Sequence, residues 1–168
     1  SVFLFFYFFA FSHLIAQENL VPNGSFEEYN WCPFGIADFS VSNWYSPTGA
    51  TPDYYHECSS GDTGIPYNFS GNQYPNSGSA YVGFVAGGFT INQYNAREYL
   101  QVRLNQKLLK SELYELSCMI SLAEISRFNC KRIGFVFTEF PINDIISTNI
   151  VGLTNLSSLE ISNSGDTT

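Results

Sequence analysis

The chain has 168 residues, of which 17% are aromatic and only 13% are charged, and its formal net charge is −8. This composition, without long helix-forming stretches, is typical of an all-β protein, and the negative charge argues against a nucleic-acid partner, because phosphates are bound by basic surfaces. All seven Lys and Arg residues lie within 97–132. Residues 1–96 therefore provide either solvated acidic strand faces or a surface suited to a cation or a neutral sugar.

The first segment of the chain is typical of an export signal. Residues 2–11 form an uncharged apolar run, and the small residue Ala16 and polar residues follow. This run matches the hydrophobic part of a signal peptide and is shorter than the roughly 20 residues of a membrane span. We predict a partial signal peptide over 1–16 and a single exported domain over 17–168 without a transmembrane span, incomplete at its C-terminus.

Four cysteines indicate how the exported domain is stabilised. An even number of cysteines in an oxidising compartment predicts two disulfides, for which three pairings exist. We favour Cys32–Cys58, which would join two loops rich in Pro and Gly, and then Cys118–Cys130, which flank one apparent hairpin. A zinc site is the alternative, but no two of these cysteines are closely spaced.

Short strands separated by turns are predicted along the chain. Residues 19–29 read as a short strand, a turn and a second short piece, and regular structure is scarce over 31–76. Residues 89–97 read as a turn or a single helical turn. Runs of about seven residues with alternating polarity predict an antiparallel β-sandwich. The predicted strands are 38–44, 80–85, 98–104, 113–122 and 132–138.

The segment 19–28, Asn-Leu-Val-Pro-Asn-Gly-Ser-Phe-Glu-Glu, followed by Trp44, resembles the opening of galactose-binding-like jelly rolls, including carbohydrate-binding modules of the family 4/9 type. Segments 51–58, 77–83 and 97–101 resemble, in this order, the N-terminal jelly roll of Bacteroidota surface proteins. The resemblance covers about residues 19–140. It implies a jelly-roll fold at the cell surface or outer membrane, with downstream domains of the OmpA-like or sorting type. Nothing before the end resembles that family's last strands.

The resemblance also implies a structural calcium ion near the Asn-Gly turn. In related jelly rolls, a carboxylate and backbone carbonyls near this turn hold Ca²⁺, which takes six to eight oxygen ligands. Asn23 and Glu27 would supply part of that set, and a partner Asp would lie in a later strand. The alternative is a capped turn with exposed glutamates. No other cofactor is expected.

Aromatic residues in the long loop are candidates for ligand binding. Sugars stack on flat aromatic rings, and a few polar groups fix their orientation. Trp44, Tyr54 and Tyr55 would supply the rings, and Asp53 and His56 the polar groups. The alternative is that these aromatic residues belong to the core of the sandwich.

No catalytic motif is evident. The chain lacks a Gly-x-Ser-x-Gly elbow and a His-Glu-x-x-His helix, and the acids near Asp53 are as readily solvated side chains as a glycosidase pair. We predict a non-catalytic, secreted or surface-bound module that binds a polysaccharide or cell-surface glycan. The alternative is a structural or adhesive spacer domain of a larger outer-membrane or secreted protein. Exposed aromatics beside amides or acids favour the module, and burial of the loop aromatics favours the spacer.

Overall fold

The computed structural model describes residues 18–87, 89–90, 93–94, 97–126, 132–145, 150 and 158–162. The predicted signal peptide over 1–16 lies outside these ranges. The described residues contain β-strands and one short 3-10 helix, Gly61–Thr63, and no helix among them is long and apolar enough to cross a membrane. The strands are β1 Trp44–Tyr45, β2 Asp53–His56, β3 Tyr67–Asn68, β4 Gly71–Asn72, β5 Ala80–Gly83, β6 Phe89–Thr90, β7 Gln93–Tyr94, β8 Gln101–Val102, β9 Arg132–Val136 and β10 Ser158–Ser162.

Every assigned strand pairs with one antiparallel partner, which gives small two-stranded sheets across the described ranges. The pairs are β1–β8, β2–β5, β3–β4, β6–β7 and β9–β10. In the β2–β5 pair, Tyr54 lies opposite Val82 and Tyr55 lies opposite Tyr81. The prediction of an all-β protein is confirmed at this level.

The described hydrophobic core is centred on β2. Successive side chains of a strand point to opposite faces, yet Tyr54 and Tyr55 are both fully buried, at 0% and 1% exposure. This strand is therefore covered on both sides. Tyr54 packs with Val41 and Ala80 on one face, and partly buried side chains surround this cluster: Phe26, Phe39, Trp44 and Val82.

The Asn-Gly turn before the core is held by the side chain of Asn23, whose backbone is in the left-handed region (φ 47°). Its Nδ2 donates to the carbonyl oxygens of Glu28 (2.8 Å) and Ser42 (2.9 Å), and its Oδ1 accepts from the Glu28 N–H at 3.0 Å. The indole N–H of Trp44 donates to the carbonyl oxygens of Asn23 and Pro22. Asn23 thus links the first turn to the chain that enters β1.

Several predicted strands are confirmed, and others need correction. β5 and β9 lie within the predicted strands 80–85 and 132–138, whereas the predicted strand 98–104 is reduced to β8. The continuous strand predicted for 38–44 is wrong: Val41 forms a single bridge with Tyr29, and the left-handed backbone of Asn43 (φ 71°) interrupts regular strand geometry.

Three further strand pairs depart from the expectations. β2 lay within a region where only 38–44 was predicted as a strand; because both of its faces are buried, it lacks the alternation that marks a half-buried strand. The β3–β4 hairpin lies in the same region. The turn or helical turn expected over 89–97 contains the short β6–β7 pair instead.

The strand predicted over 113–122 is not formed. These residues carry no regular structure, and Leu113 and Met119 are 99% and 75% exposed. Alternating polarity makes a segment suitable for a strand, but a strand also needs a neighbour that supplies backbone hydrogen bonds. No described strand lies alongside this segment.

The predicted disulfide Cys32–Cys58 is confirmed, with Cα atoms 6.0 Å apart. It fastens the loop after the first turn to the chain directly after β2, and the Ser59 hydroxyl donates to the Pro33 carbonyl at 2.8 Å beside it. Cys118 is free and exposed, which departs from the predicted second disulfide. Its expected partner, Cys130, lies outside the described residues.

Replacing Cys32 and Cys58 by Ala should lower the free energy of unfolding by about 3.5 kcal/mol. This value is the chain-entropy estimate for a bridge that spans 26 residues. Denaturant unfolding of the double variant measures the loss. Cys118→Ala is the matched control and should change stability by less than about 0.5 kcal/mol, because this thiol is exposed. Equal stability of the double variant and the wild type would contradict the structural role of the bridge.

Candidate functional site

The structure brings the predicted ligand-binding residues together, but mainly inside the protein. Asp53, Tyr54, Tyr55 and His56 are consecutive in β2, and Trp44 packs against the same core. Tyr54 and Tyr55 are fully buried, His56 is 9% exposed, and Asp53 and Trp44 are half-buried. The rings of Tyr54 and Tyr55 therefore present no open face on which a sugar could stack.

The contacts of Tyr54 and His56 are those of core residues. The Tyr54 hydroxyl donates to the carbonyl oxygen of Phe26 at 2.8 Å. The His56 ring lies 4.5 Å from the ring of Tyr29 and 5.8 Å from that of Tyr54, centroid to centroid. Its Nδ1 accepts from the backbone N–H of Cys58 at 2.9 Å. His56 thus fixes the chain at the disulfide.

Tyr55 connects β2 to the β3–β4 hairpin. Its ring stacks on Tyr81, with centroids 4.9 Å apart and planes 20° apart, and its hydroxyl shares a hydrogen bond of 2.6 Å with the Ser70 hydroxyl. The Tyr81 hydroxyl accepts from Nδ2 of Asn68 at 2.6 Å. Both bonds end on the hairpin, so Tyr55 and Tyr81 hold it in place.

Burial also determines the ionisation of these tyrosines. Burial disfavours the charged phenolate, so it raises the pKa of Tyr54, and the nearby Glu27 carboxylate raises it further. Burial likewise raises the pKa of Tyr55 to about 12. Both side chains are therefore neutral hydrogen-bonding groups throughout the physiological range.

The two residues of the expected calcium site make separate contacts. The side-chain oxygen of Asn23 already accepts the Glu28 N–H. Oε1 of Glu27 accepts the backbone N–H of Ser79 at 2.9 Å, and its carboxylate fills the space beside Gly78. Within the described residues, no group of three or more His, Cys, Asp or Glu side chains is arranged to hold a metal ion. These contacts leave calcium binding at Asn23 and Glu27 untested, so it stays a prediction.

An exposed aromatic face, which the sequence interpretation did not single out, lies on the β3–β4 hairpin. Tyr67 pairs with Asn72 in this hairpin, and the N–H of Gln73 donates to the carbonyl of Pro66 at 2.8 Å, which extends the ladder by one pair. Because alternate residues share a face, Tyr67, Asn72 and Tyr74 lie on the same side. Tyr67 is 72% exposed and Tyr74 is 66% exposed.

The hairpin is fixed by polar contacts on its two sides. On the core side, Asn68 donates to the Tyr81 hydroxyl and to the carbonyl of Gly64, and its Oδ1 accepts the Ser70 N–H. On the open edge of β4, Oε2 of Glu124 accepts the Asn72 N–H at 2.6 Å. A two-stranded ribbon alone is marginally stable, so these contacts are needed to present its face.

Gly71 allows this close approach of Glu124. Its backbone has a φ of 134°, and an added Cβ would lie 2.8 Å from the Cβ of Glu124 and 2.7 Å from its Oε2. The sequence signal for the hairpin was available in Tyr67-Asn-Phe-Ser-Gly-Asn-Gln-Tyr74, in which aromatic and amide residues flank a short turn. What the sequence lacked was the register that puts both tyrosines on one face.

Tyr54→Phe should destabilise the protein by about 1–2 kcal/mol, because the part-buried Phe26 carbonyl loses its donor. Denaturant unfolding at neutral pH measures this loss. Tyr67→Phe is the matched control and should be neutral, since that side chain is exposed. A neutral result for Tyr54→Phe would contradict the importance of the hydroxyl contact.

The raised pKa values of Tyr54 and Tyr55 predict how stability depends on alkaline pH. The folded protein keeps these two phenols protonated to a higher pH than the unfolded chain does, because their pKa values lie above the usual value of about 10. Their contribution to the free energy of unfolding is therefore fully present below about pH 10. This contribution is lost as pH rises through the folded pKa, about 12 for Tyr55. We expect the unfolding free energy to fall above about pH 10, and less steeply in Tyr54→Phe than in the wild type. Identical slopes would contradict the assignment.

Comparison with known proteins gives no relative from which a role could be transferred. No family model matches the chain, and neither a curated protein nor a solved structure matches it at significant similarity.

Proposed function

We propose that this chain is an exported, non-catalytic module that binds an uncharged carbohydrate through the face formed by Tyr67, Asn72 and Tyr74. The observation that carries the proposal is the pair of exposed tyrosine rings on one face of a fixed hairpin, with an amide residue directly opposite one of them. This is the arrangement of exposed aromatics beside an amide that distinguishes a sugar-binding module from a spacer. The two rings replace Tyr54 and Tyr55 as the stacking groups.

The chemistry of this face suits a sugar. Phenol rings offer flat apolar surfaces to the C–H faces of pyranoses, and their hydroxyls add polar ends. The side-chain amide of Asn72 offers one acceptor and two donors, and no described residue forms a hydrogen bond with it. The backbone N–H of Asn72 is already held by Glu124, so the residue is fixed while its amide stays available to a hydroxyl-rich ligand.

Charge favours an uncharged glycan over an acidic one. Glu124 contacts the hairpin at β4, and Asp62 accepts the Phe69 N–H at the hairpin tip through its backbone carbonyl. No Lys or Arg occurs over residues 18–87, and the whole chain carries a net charge of −8. The negative potential of this surface would repel a uronate or sulfated polymer, because such a polymer is also negatively charged.

The proposal includes a fold and a location. We propose that the small sheets belong to a jelly-roll β-sandwich, as the sequence resemblance implies. The Cys32–Cys58 bridge supports an oxidising compartment, because structural disulfides persist outside the reducing cytosol. A place at the cell surface or outer membrane and the presence of downstream domains rest on the resemblance alone.

A second candidate function is a structural or adhesive spacer domain without a small ligand. The burial of Tyr54, Tyr55 and His56 favours the spacer, because these residues then belong to the core and cannot contact a ligand. The two functions differ at the hairpin: a spacer does not require Tyr67 or Tyr74 for its stability, and a sugar-binding module requires them for binding.

A glycan array probed with the chain lacking residues 1–16, with Ca²⁺ and with a chelator, tests the proposal. We expect binding to at least one neutral polysaccharide and weaker or no binding to uronate polymers. Tyr67→Ala and Tyr74→Ala should each weaken binding about tenfold, corresponding to about 1.4 kcal/mol. Phe140→Ala truncates an aromatic residue outside the hairpin that is 74% exposed, and it should leave binding unchanged.

The outcomes separate the candidates. Absence of binding to every glycan would favour the spacer. Binding that survives both tyrosine truncations would move the site away from the hairpin. Binding lost with the chelator would bring the calcium prediction, with Asn23 and Glu27, back into the mechanism.

A further inference from the structure

A small cavity lies at the disulfide bridge, and both bridged cysteines line it. Its volume is about 210 Å³, and two short runs of the chain form its walls: Cys32, Pro33 and Phe34 on one side, and Cys58, Ser59 and Ser60 on the other. Phe34, Cys58 and Ser60 are exposed, so the cavity opens to solvent. A small molecule can therefore reach the bridge without passing through the core.

The two bridged cysteines differ in their exposure. Cys58 is exposed, whereas Cys32 is half-buried and is followed by the buried Pro33. A disulfide is opened when a thiolate attacks one of its two sulfurs, and the rate depends on access to the sulfur that is attacked. Access therefore favours Cys58 as the residue that is attacked and Cys32 as the residue whose sulfur leaves.

Hydrogen bonds hold the walls of the cavity independently of the bridge. The Ser59 hydroxyl donates to the Pro33 carbonyl at 2.8 Å and joins the two walls directly. Asp38 holds the first wall, because its Oδ2 accepts the Phe34 N–H and its Oδ1 accepts the Trp31 indole N–H, each at 2.9 Å. These bonds can persist when the S–S bond opens, so exchange at the bridge does not require unfolding of the protein.

Acidic side chains lie on both sides of the cavity. The Asp38 carboxylate is bonded to the backbone of Phe34 in one wall, and the exposed Glu57 directly precedes Cys58 in the other. The sequence has no Lys or Arg over residues 18–87. A negative potential raises the local concentration of cations and lowers that of anions. The surroundings of the bridge therefore favour a thiol with a positive charge over one with a negative charge.

From these observations, we propose that the Cys32–Cys58 bridge is an exchange site for a small aminothiol, which is a thiol with a positively charged amino group. The thiolate of the aminothiol enters the cavity and attacks the sulfur of Cys58. A new S–S bond forms to Cys58 and the bond to Cys32 breaks; its electron pair leaves on the Cys32 sulfur, which takes a proton from water. The product carries the aminothiol on Cys58. This inference does not rest on the glycan-binding proposal.

Exchange kinetics of the folded wild type test the site, with cysteamine as the probe. Samples are quenched in acid, which stops exchange by protonating thiolates, and peptide masses locate each adduct. We expect the adduct on Cys58 and a new thiol on Cys32. The rate should be proportional to cysteamine concentration and should change less than about twofold in sub-denaturing urea, because no large surface is exposed. An adduct on Cys32, or a rate that rises with urea as steeply as global unfolding, would overturn the proposal.

Glutathione, an anionic thiol, tests the role of charge. With each rate expressed per thiolate and divided by the rate on a small uncharged disulfide, cysteamine should react about tenfold faster than glutathione at low ionic strength. The difference should shrink in 1 M salt, where the Debye length is only about 3 Å. Glu57→Gln keeps an acceptor for the Ser79 hydroxyl and should reduce the ratio, and Glu115→Gln is the matched control outside the cavity. Equal corrected rates at low ionic strength would contradict the selection of an aminothiol and overturn the proposal.

Filling the cavity tests the route to the bridge. Ser60→Leu places a larger side chain in the cavity wall and should slow the reaction with cysteamine about tenfold, because exchange depends on access to the sulfur. Ser77→Leu makes the same change at an exposed position that does not line the cavity, and it should leave the rate unchanged. Circular dichroism melts verify that both variants are folded. A folded Ser60→Leu variant that reacts at the wild-type rate would show that attack does not pass through the cavity, and the proposal would fail.

Discussion

Burial of β2 on both faces is the constraint on which the rest of the described structure depends. Tyr54 on one face holds the first turn through the Phe26 carbonyl, and Tyr55 on the other face holds the β3–β4 hairpin through Ser70. The Cys32–Cys58 bridge begins two residues after the strand and closes the loop over it. The consecutive tyrosines of β2 therefore position the first turn on one side of the strand and the β3–β4 hairpin on the other.

This constraint separates the aromatic residues into two groups with different roles. A phenol ring contributes to a core through its apolar body and through a hydroxyl that finds a buried partner, as Tyr54 and Tyr55 do. The same ring on a held hairpin offers its face to a ligand, as Tyr67 and Tyr74 do in the proposed site. The aromatic content of the chain therefore serves both the core and a surface, and the hairpin depends on the core for its position.

The small size of the sheets has a second consequence. Two-stranded sheets leave backbone edges, and proteins usually cover or charge such edges because they attract other strands. Glu124 covers the edge of β4 with a carboxylate, whereas residues 113–122 have no described neighbour on their backbone. The hairpin contacts residues 113–122 through the hydrogen bond between Gln73 and Ser121.

The sequence by itself determined the all-β composition and the strands β5 and β9, because composition and alternation are local properties. It favoured Cys32–Cys58 among three possible pairings, and the structure decided for that bridge. It did not determine which tyrosines are buried, since Tyr54 and Tyr67 are chemically identical and both lie in a region rich in Pro and Gly. It also predicted a strand at 113–122. The polarity of this segment alternates, but no described strand pairs with it. Tertiary structure decided these points, because burial and strand pairing depend on contacts between residues that are distant in the chain.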